Sequence, residues 1–542
     1  MRACSAWKSG PCSYKRARLA SAAMSEPFYI TTAIHYPNGK PHIGHAYETI
    51  AADVIARFQR LMGRDVRFQT GTDEHGLKMA QKARDLGKTP RELADEMAGE
   101  FKDLFDRLDI TYDRFIRTTD ADHHQASRAI WEAMEAKGDL YLDRYEGWYS
   151  VRDEAYYDEK ELVEGEGGEK LSPQGTPVEW TEEETWFFRL SKYAEPLLEL
   201  LKKPGFLEPA SRRNEMIAFV EGGLKDLSVS RTSFDWGVKV PGHDDHVMYV
   251  WVDALTNYIT GVGYPDDSEM FRKYWPASLH LIGKDIVRFH TIYWPAFLMS
   301  ADIPVPQQVF GHGFLLNRGV KESKSAGNVT DPNELIDLFG VDSLRYFLLA
   351  EVVFGKDGTY SAEALVNKVN AELANSFGNL AQRTLSMIHK NMDGKLEAFE
   401  PNESDKALLT TVRDACAATL PREFEALNFS VGIESWLKAV FACNAYVDEQ
   451  APWALKKSDP ERMKAVLQTL FLAIRDLAIA IQPVVPTKAG VVLDQLGVTA
   501  ERRTYTDLSD ENWFGALVAA GHVIEKPTPA FPRLEMPEVE AA

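Results

Sequence analysis

The chain has 542 residues, 45% of them hydrophobic and 26% charged, enough for two to four domains that each bury a core. No run of eighteen apolar residues occurs, which excludes a helical membrane span. The formal net charge of -20 excludes a surface that coats nucleic acid throughout, but a few placed Lys and Arg could still line a local basic groove.

The first 23 residues carry Arg2, Lys8, Lys15, Arg16 and Arg18 with no acid before Glu26. Such a composition fits an organelle-targeting leader or an over-long start, with Met24 as the true beginning. The second reading is preferred, and under either one residues 1–25 are a basic extension left out of the fold. Cys4, Cys12, Cys416 and Cys443 form no C-x-x-C pair, so neither a disulfide framework nor a zinc knuckle is expected and a reducing compartment fits.

Residues 28–34, FYITTAI, are β-branched and aromatic and predict a buried strand. From Tyr47 the apolar residues Ile50, Ala51, Val54, Ile55, Phe58, Leu61 and Met62 recur at helical spacing, with Gly63 as a stop. DVRFQTGTDEHG then predicts a second strand ending in a polar loop at Asp73–Gly76. Strand, helix, strand is a parallel unit, whose ligands gather at the carboxyl ends of the strands. Residues 144–234 are acidic and Gly-rich with short aromatic alternations, and predict an insertion of short strands. The parallel pattern resumes at HVMYVWVDAL, SLHLIGKD and QVFGHGFLL. A helix follows, with Asp331 as N-cap, Pro332 at its first position and Gly340 closing it. From Ala371 to Gly497 nearly everything has helical period, and the tail KPTPAFPRLEMPEVEAA is expected to lie along the surface.

Two stretches carry chemistry. At the first strand-to-helix corner stand His42, Ile43, Gly44 and His45. Backbone N–H groups at a helix start attract anions, Gly44 lets a nucleotide approach, and both imidazoles can donate toward phosphate oxygens. Taken alone, H-x-x-H also reads as two polar helix residues or a pair of metal ligands. GVKESKSAGN, residues 319–328, places Lys321 and Lys324 on a loop bounded by Gly319 and Gly327, suited to following a pyrophosphate. By itself it is also a solvated basic turn.

Together these stretches resemble the two signatures of the class I aminoacyl-tRNA synthetases, HIGH and KMSKS, here His42-Ile43-Gly44-His45 and Lys321-Glu322-Ser323-Lys324-Ser325. Glu322 departs from the usual Met. TTAIHYPNGKPHIGHAY, TGTDEHG, YVWVDAL, HLIGKDIVRFH, NLAQR and YVDEQAPW extend the resemblance, from about Glu26 to Arg533, to the methionyl-tRNA synthetase family. That resemblance implies an α/β fold: a Rossmann-type parallel-sheet catalytic domain (26–143 and 235–312) interrupted by an inserted connective domain (144–234). A KMSKS loop and stem-contact region (313–370), an all-α anticodon-binding helical bundle (371–515) and a tail (516–542) would follow.

Carried over residue by residue, the family's methionine pocket falls on Ala33, Ile34, Tyr36, Trp251, Ala254, Leu255, Tyr258, Ile286, His290 and Trp294, with Asp73 on the α-amino group. A thioether favours aromatic edges, by about 0.3–1.5 kcal/mol per contact. ATP would meet Gly44, Lys284, Asp285, His312, Ser323 and Ser325, with His42, His45, Lys321 and Lys324 as the catalytic groups. Asn379, Arg383 and Trp453 would read the CAU anticodon, the first two from one helix face. The implied activity is methionine–tRNA ligation with ATP and Mg2+, on tRNA(Met) including the initiator. The insertion has no cysteine, so no structural zinc and no other metal site is expected; relatives with zinc knuckles differ there. No appended dimerisation domain follows the bundle, so a cytoplasmic monomer without membrane contact is expected. The rival readings are a synthetase for another amino acid, a small nucleotidylyltransferase sharing the HxGH corner, and a non-catalytic tRNA-binding relative.

Overall fold

The β-branched run after Pro27 forms strand β1 (Pro27–Thr32), buried from Tyr29 onward. A computed structural model describes residues 25–152, 155–165, 167–317, 320–321, 330–508 and 510–536. The basic extension up to residue 24 lies outside them. Helix α1 (Ile43–Leu61) crosses over from β1 to β2 (Asp65–Thr72), and Gly63, at φ 87°, supplies the left-handed turn that ends it. With β3 (Arg114–Arg117), β4 (Leu207–Glu208), β5 (Leu279–Gly283) and β6 (Val309–His312), these strands make one parallel sheet in the order β3-β2-β1-β5-β6-β4. Chain order reverses between β1 and β5. That crevice, outside their carboxyl ends, is where such sheets hold ligands.

The insertion is a long antiparallel ribbon, Leu140–Ser150 against Glu179–Phe188, flanked by Ala155–Tyr157 and Leu227–Ser228. It opens at Leu140, ahead of the expected 144. Within the range read as insertion, Leu207–Glu208 rejoins the main sheet as β4, beside β6. Two residues are too short a run for alternation to signal a strand.

Asp331 caps the helix Pro332–Phe339, its side chain accepting from the Asn333 N–H at 2.8 Å, and Gly340 closes it at φ 78°. After the short strand Gly358–Tyr360, helices run to Ala519, past the expected end of the bundle at 515. The bundle packs onto α1 mainly through apolar groups: Phe58 meets Phe424 and Tyr505 at 5.6 and 5.5 Å between ring centroids, within one continuous apolar core. At the heart of this junction the guanidinium of Arg345, fully buried, donates to Asp53 of α1 at 2.6 Å and to the carbonyls of Leu108, Pro483 and Val484 at 3.0–3.2 Å. Burial alone would raise the Asp53 carboxyl, but Arg345, Arg57 and Thr111 hold it below its usual range. In the tail, Leu534 exchanges two hydrogen bonds with the Asn370 side chain and Phe531 packs over Gly378. No helix among the described residues is long and apolar enough to cross a membrane.

Candidate active site

His42 occupies the N-cap of α1, a place usually taken by Ser, Thr, Asp or Asn. Its Nδ1 accepts from the Gly44 N–H at 3.1 Å, and Nδ1 of His45 accepts from the His42 N–H at 3.0 Å. A neutral imidazole whose Nδ1 accepts carries its proton on Nε2. The capping box therefore gives both rings an Nε2–H donor. The rings lie 3.8 Å apart between centroids, and a Cβ on Gly44 would come within 2.9 Å of the His42 ring. The glycine thus makes room for the capping imidazole; nucleotide approach was the expected reason.

Among the described residues after β6, Thr330 lies at this corner. Lys321 lies on the short strand Val320–Lys321, paired with Leu316, and the Ile43 N–H donates to the Thr330 carbonyl at 3.3 Å. Thr330, a few residues past the second signature, thus lies against the start of α1. Ser323, Lys324 and Ser325 lie outside the described residues.

Glu48, one turn into α1 and buried, ties three elements together. It accepts from the Ala33 N–H just past β1 and from Nε2 of His312 at the end of β6, both at 2.9 Å. Nδ1 of His312 donates to the Gly313 carbonyl at 2.8 Å. Burial pushes His312 down, yet the Glu48 hydrogen bond and charge outweigh it and raise the imidazole above its usual range. Both ring nitrogens, expected on ATP, thus serve protein partners. Lys284 pairs with Asp357 at 2.8 Å and lies over the Phe314 ring, while its neighbour Asp285 is exposed at the carboxyl end of β5.

Beside this corner, over the reversal between β1 and β5, is a cavity of about 220 Å³. Ala33, Ile34, Tyr36, Asp73, Trp251, Ala254, Leu255, Tyr258, Ile286 and His290 line it, together with Lys78, Arg152, Val250 and Asn257, which the sequence reading did not include. Trp294 does not line it. Fully buried, it stands behind Tyr258 at 6.1 Å between centroids, so the residue expected around the substrate backs the wall instead. Trp251 stacks on Phe289 at 3.8 Å.

The loop that carries Asp73 is fixed by its neighbours. Glu74, fully buried, accepts from Thr72 Oγ1 and from Nε and Nη2 of Arg117. Nδ1 of His75 lies 2.6 Å from Asp253, whose other oxygen meets Nε2 of His123 at 2.7 Å. Burial would raise Asp253, but the two imidazoles hold it far below the usual carboxylate range. Asp253 sits on α2 (Val250–Thr260), the helix that also bears Trp251, Ala254, Leu255 and Tyr258, so the His75–Asp253 contact ties the acidic loop to the aromatic wall.

His290 donates from Nδ1 to the Ile286 carbonyl at 2.9 Å and faces the Tyr258 hydroxyl at 2.7 Å through Nε2. Burial pushes its pKa down to about 4, so the ring is neutral at pH 7. The unfolded chain takes up this proton at the ordinary imidazole pKa, whereas the folded site resists until about pH 4; stability is lost as pH falls through that window. Urea unfolding of the wild type is expected to show that decline, and His290→Gln to show a shallower one. Equal slopes would rule the assignment out.

In the bundle, Arg383, on α3 (Asn379–Asn391), lies over the ring of Trp453 at 5.6 Å. Asn379, Arg383 and Trp453 are all exposed, the indole by 50%.

Residues 28–385 match the family described as "tRNA synthetases class I (M)", and residues 397–541 match "Anticodon binding domain of methionyl tRNA ligase". A "Methionine--tRNA ligase" of Brucella suis biovar 1 (strain 1330) is 54% identical over 94% of this chain and 98% of its own length. One from Mycobacterium bovis is 52% identical over 95% and 99%. The crystal structure of Mycobacterium tuberculosis methionyl-tRNA synthetase bound by methionyl-adenylate superposes with a TM-score of 0.90 at 52% identity, covering 94% of this chain and all of that one. The apo form of the Mycobacterium tuberculosis enzyme gives 0.85 at 48% identity over 95% and 100%.

Proposed function

The chain belongs to the methionine–tRNA ligases of the class I aminoacyl-tRNA synthetases, and from that premise we propose which of its residues carry the reaction. The activity is the ATP-dependent activation of methionine to methionyl-adenylate and its transfer to the 3′ end of tRNA. What most supports the residue assignment is that one cavity, at the β1–β5 reversal, gathers every residue ascribed to methionine except Trp294 and adjoins the His42–His45 corner.

Methionine enters with its thioether between Trp251, Tyr258 and the apolar residues and its ammonium on Asp73. The carboxylate attacks the α-phosphorus of ATP, an O–P bond forms, and pyrophosphate leaves. The Nε2–H groups of His42 and His45, with the N-terminal end of α1, stabilise charge developing on the phosphates without taking a proton. Lys321 and Lys324 follow the departing pyrophosphate, and Ser323, Ser325, Gly44 and Asp285 complete the nucleotide site. His312 and Lys284 hold the strand ends beneath it. The first turn of α1 bears no acid, so Mg2+ would arrive on the triphosphate oxygens and neutralise their charge. The insertion has no cysteine, and we propose that it folds without zinc. Asn379, Arg383 and Trp453 take the anticodon of tRNA(Met), initiator included; a monomer working in the cytoplasm completes the reading.

Pyrophosphate exchange across an amino-acid panel tests this: exchange should depend on methionine, and dependence on leucine instead would refute it. For Trp453→Ala, losing one base stack should slow tRNA charging by about 5- to 150-fold. Exchange should be unchanged; normal charging in that variant would remove the anticodon role.

A further inference from the structure

We propose that Lys78 is the residue that receives the carboxylate of bound methionine. This rests on reading the cavity as the methionine site.

An α-amino acid presents opposite charges from one carbon, so a site that places Asp73 on the ammonium needs a cation or donor close by for the carboxylate. Most polar side chains in the wall are committed elsewhere. The Asn257 amide donates to the Ala254 carbonyl at 2.6 Å and accepts from Gln69 at 2.8 Å. His290 is neutral, its Nδ1–H donates to the Ile286 carbonyl, and its bare Nε2 accepts from the Tyr258 hydroxyl. Neither Tyr258 nor His290 therefore donates into the cavity. Among the described residues, the cations that line it are Lys78 and Arg152.

Three observations select Lys78. It stands at the start of the helix Leu77–Asp85, which leaves the loop carrying Asp73, so the groups for the two poles of the substrate come from one short segment. Its ammonium lies 5.1 Å from the ring centre of Tyr36, itself a wall residue whose hydroxyl accepts from the Met79 N–H at 3.1 Å. Finally, Lys78 is half-buried, whereas Arg152 is exposed on a turn of the ribbon, and a charge pair is stronger where water is partly excluded. One carboxylate oxygen held by Lys78 leaves the other to approach the α-phosphorus. The held oxygen becomes the carbonyl oxygen of the adenylate, and no proton moves.

The test uses the full chain and two ligands, L-methionine and L-methioninol, which share side chain and ammonium; methioninol has a hydroxymethyl group in place of the carboxylate. Dissociation constants are read by calorimetry for the wild type, Lys78→Met, Lys78→Arg and Arg152→Met. Loss of a charge-assisted hydrogen bond should weaken methionine binding to Lys78→Met by about 10- to 150-fold. Methioninol binding should hold, and Lys78→Arg should recover most of the loss. Equal effects on both ligands, no effect on either, or a selective loss in Arg152→Met instead would overturn the proposal. If the wild type binds neither ligand, the methionine-site reading itself fails; if it binds both and Lys78→Met behaves as wild type, only the role of Lys78 does.

Discussion

Arg345→Met is expected to lower the unfolding free energy by about 3–5 kcal/mol, the usual penalty for breaking a buried ion pair by removing one partner. The guanidinium is fully buried and so are these partners: Asp53 of α1 and three backbone carbonyls from two distant parts of the chain. Methionine fills the volume but satisfies none of these acceptors. Asp53 keeps Arg57 at 2.7 Å and two bonds from Thr111, which limits the damage on its side. Asp53→Leu in the same chain should return part of the loss, because a buried pair replaced whole by apolar groups is often neutral. The urea midpoint, followed by tryptophan fluorescence, checks both variants. A loss below about 1 kcal/mol in the single variant, in the range of exposed pairs, would mean that the junction is not held this way.

His45→Ala is expected to reduce kcat for methionine-dependent pyrophosphate exchange by about 10²–10³, as removal of one preorganised donor to a developing charge does. Methionine binding should be unaffected, since His45 does not line the cavity. The substitution also removes the acceptor for the His42 N–H, a helix-cap loss of about 1 kcal/mol. His45→Gln separates the two effects. Glutamine at this position of a capping box can restore the bond to the cap, so stability should return while most of the rate deficit remains. Exchange in His45→Ala within about tenfold of the wild type would dismiss the imidazole as a charge-stabilising group.

Much of the fold was legible because parallel strands buried on both faces and amphipathic helices write themselves in runs and periods. β1, α1, β2 and the Asp331–Gly340 helix are of this kind. The site was legible in its polar corners, yet the reasons differed. Gly44 signalled a close approach, and the His42 ring makes one that was not foreseen, because histidine is rarely considered as a helix cap; the approach of a nucleotide to Gly44 belongs to the proposed function. Glu48 and Asp53 had a signal in principle, being acids within an otherwise apolar helical stripe, although nothing in the sequence names Ala33, His312 and Arg345 as their partners. Lys78 and Arg152 had none: each reads as an ordinary surface cation until the fold brings it to the cavity. Trp294 shows the converse, an aromatic whose chemistry suits the pocket but which the helix geometry sets one layer back.

Because β4 arises within the insertion and adds to the flank of β6, that insertion is not a detachable module. Excising it as a block would strip the outermost strand and bare the N–H and C=O row of Val309–Phe310, a ready template for sticking to a second molecule. Among the described residues, the ribbon between Leu140 and Phe188 pairs only within the insertion, whereas the stretch near Leu207 is held to the register of the catalytic sheet.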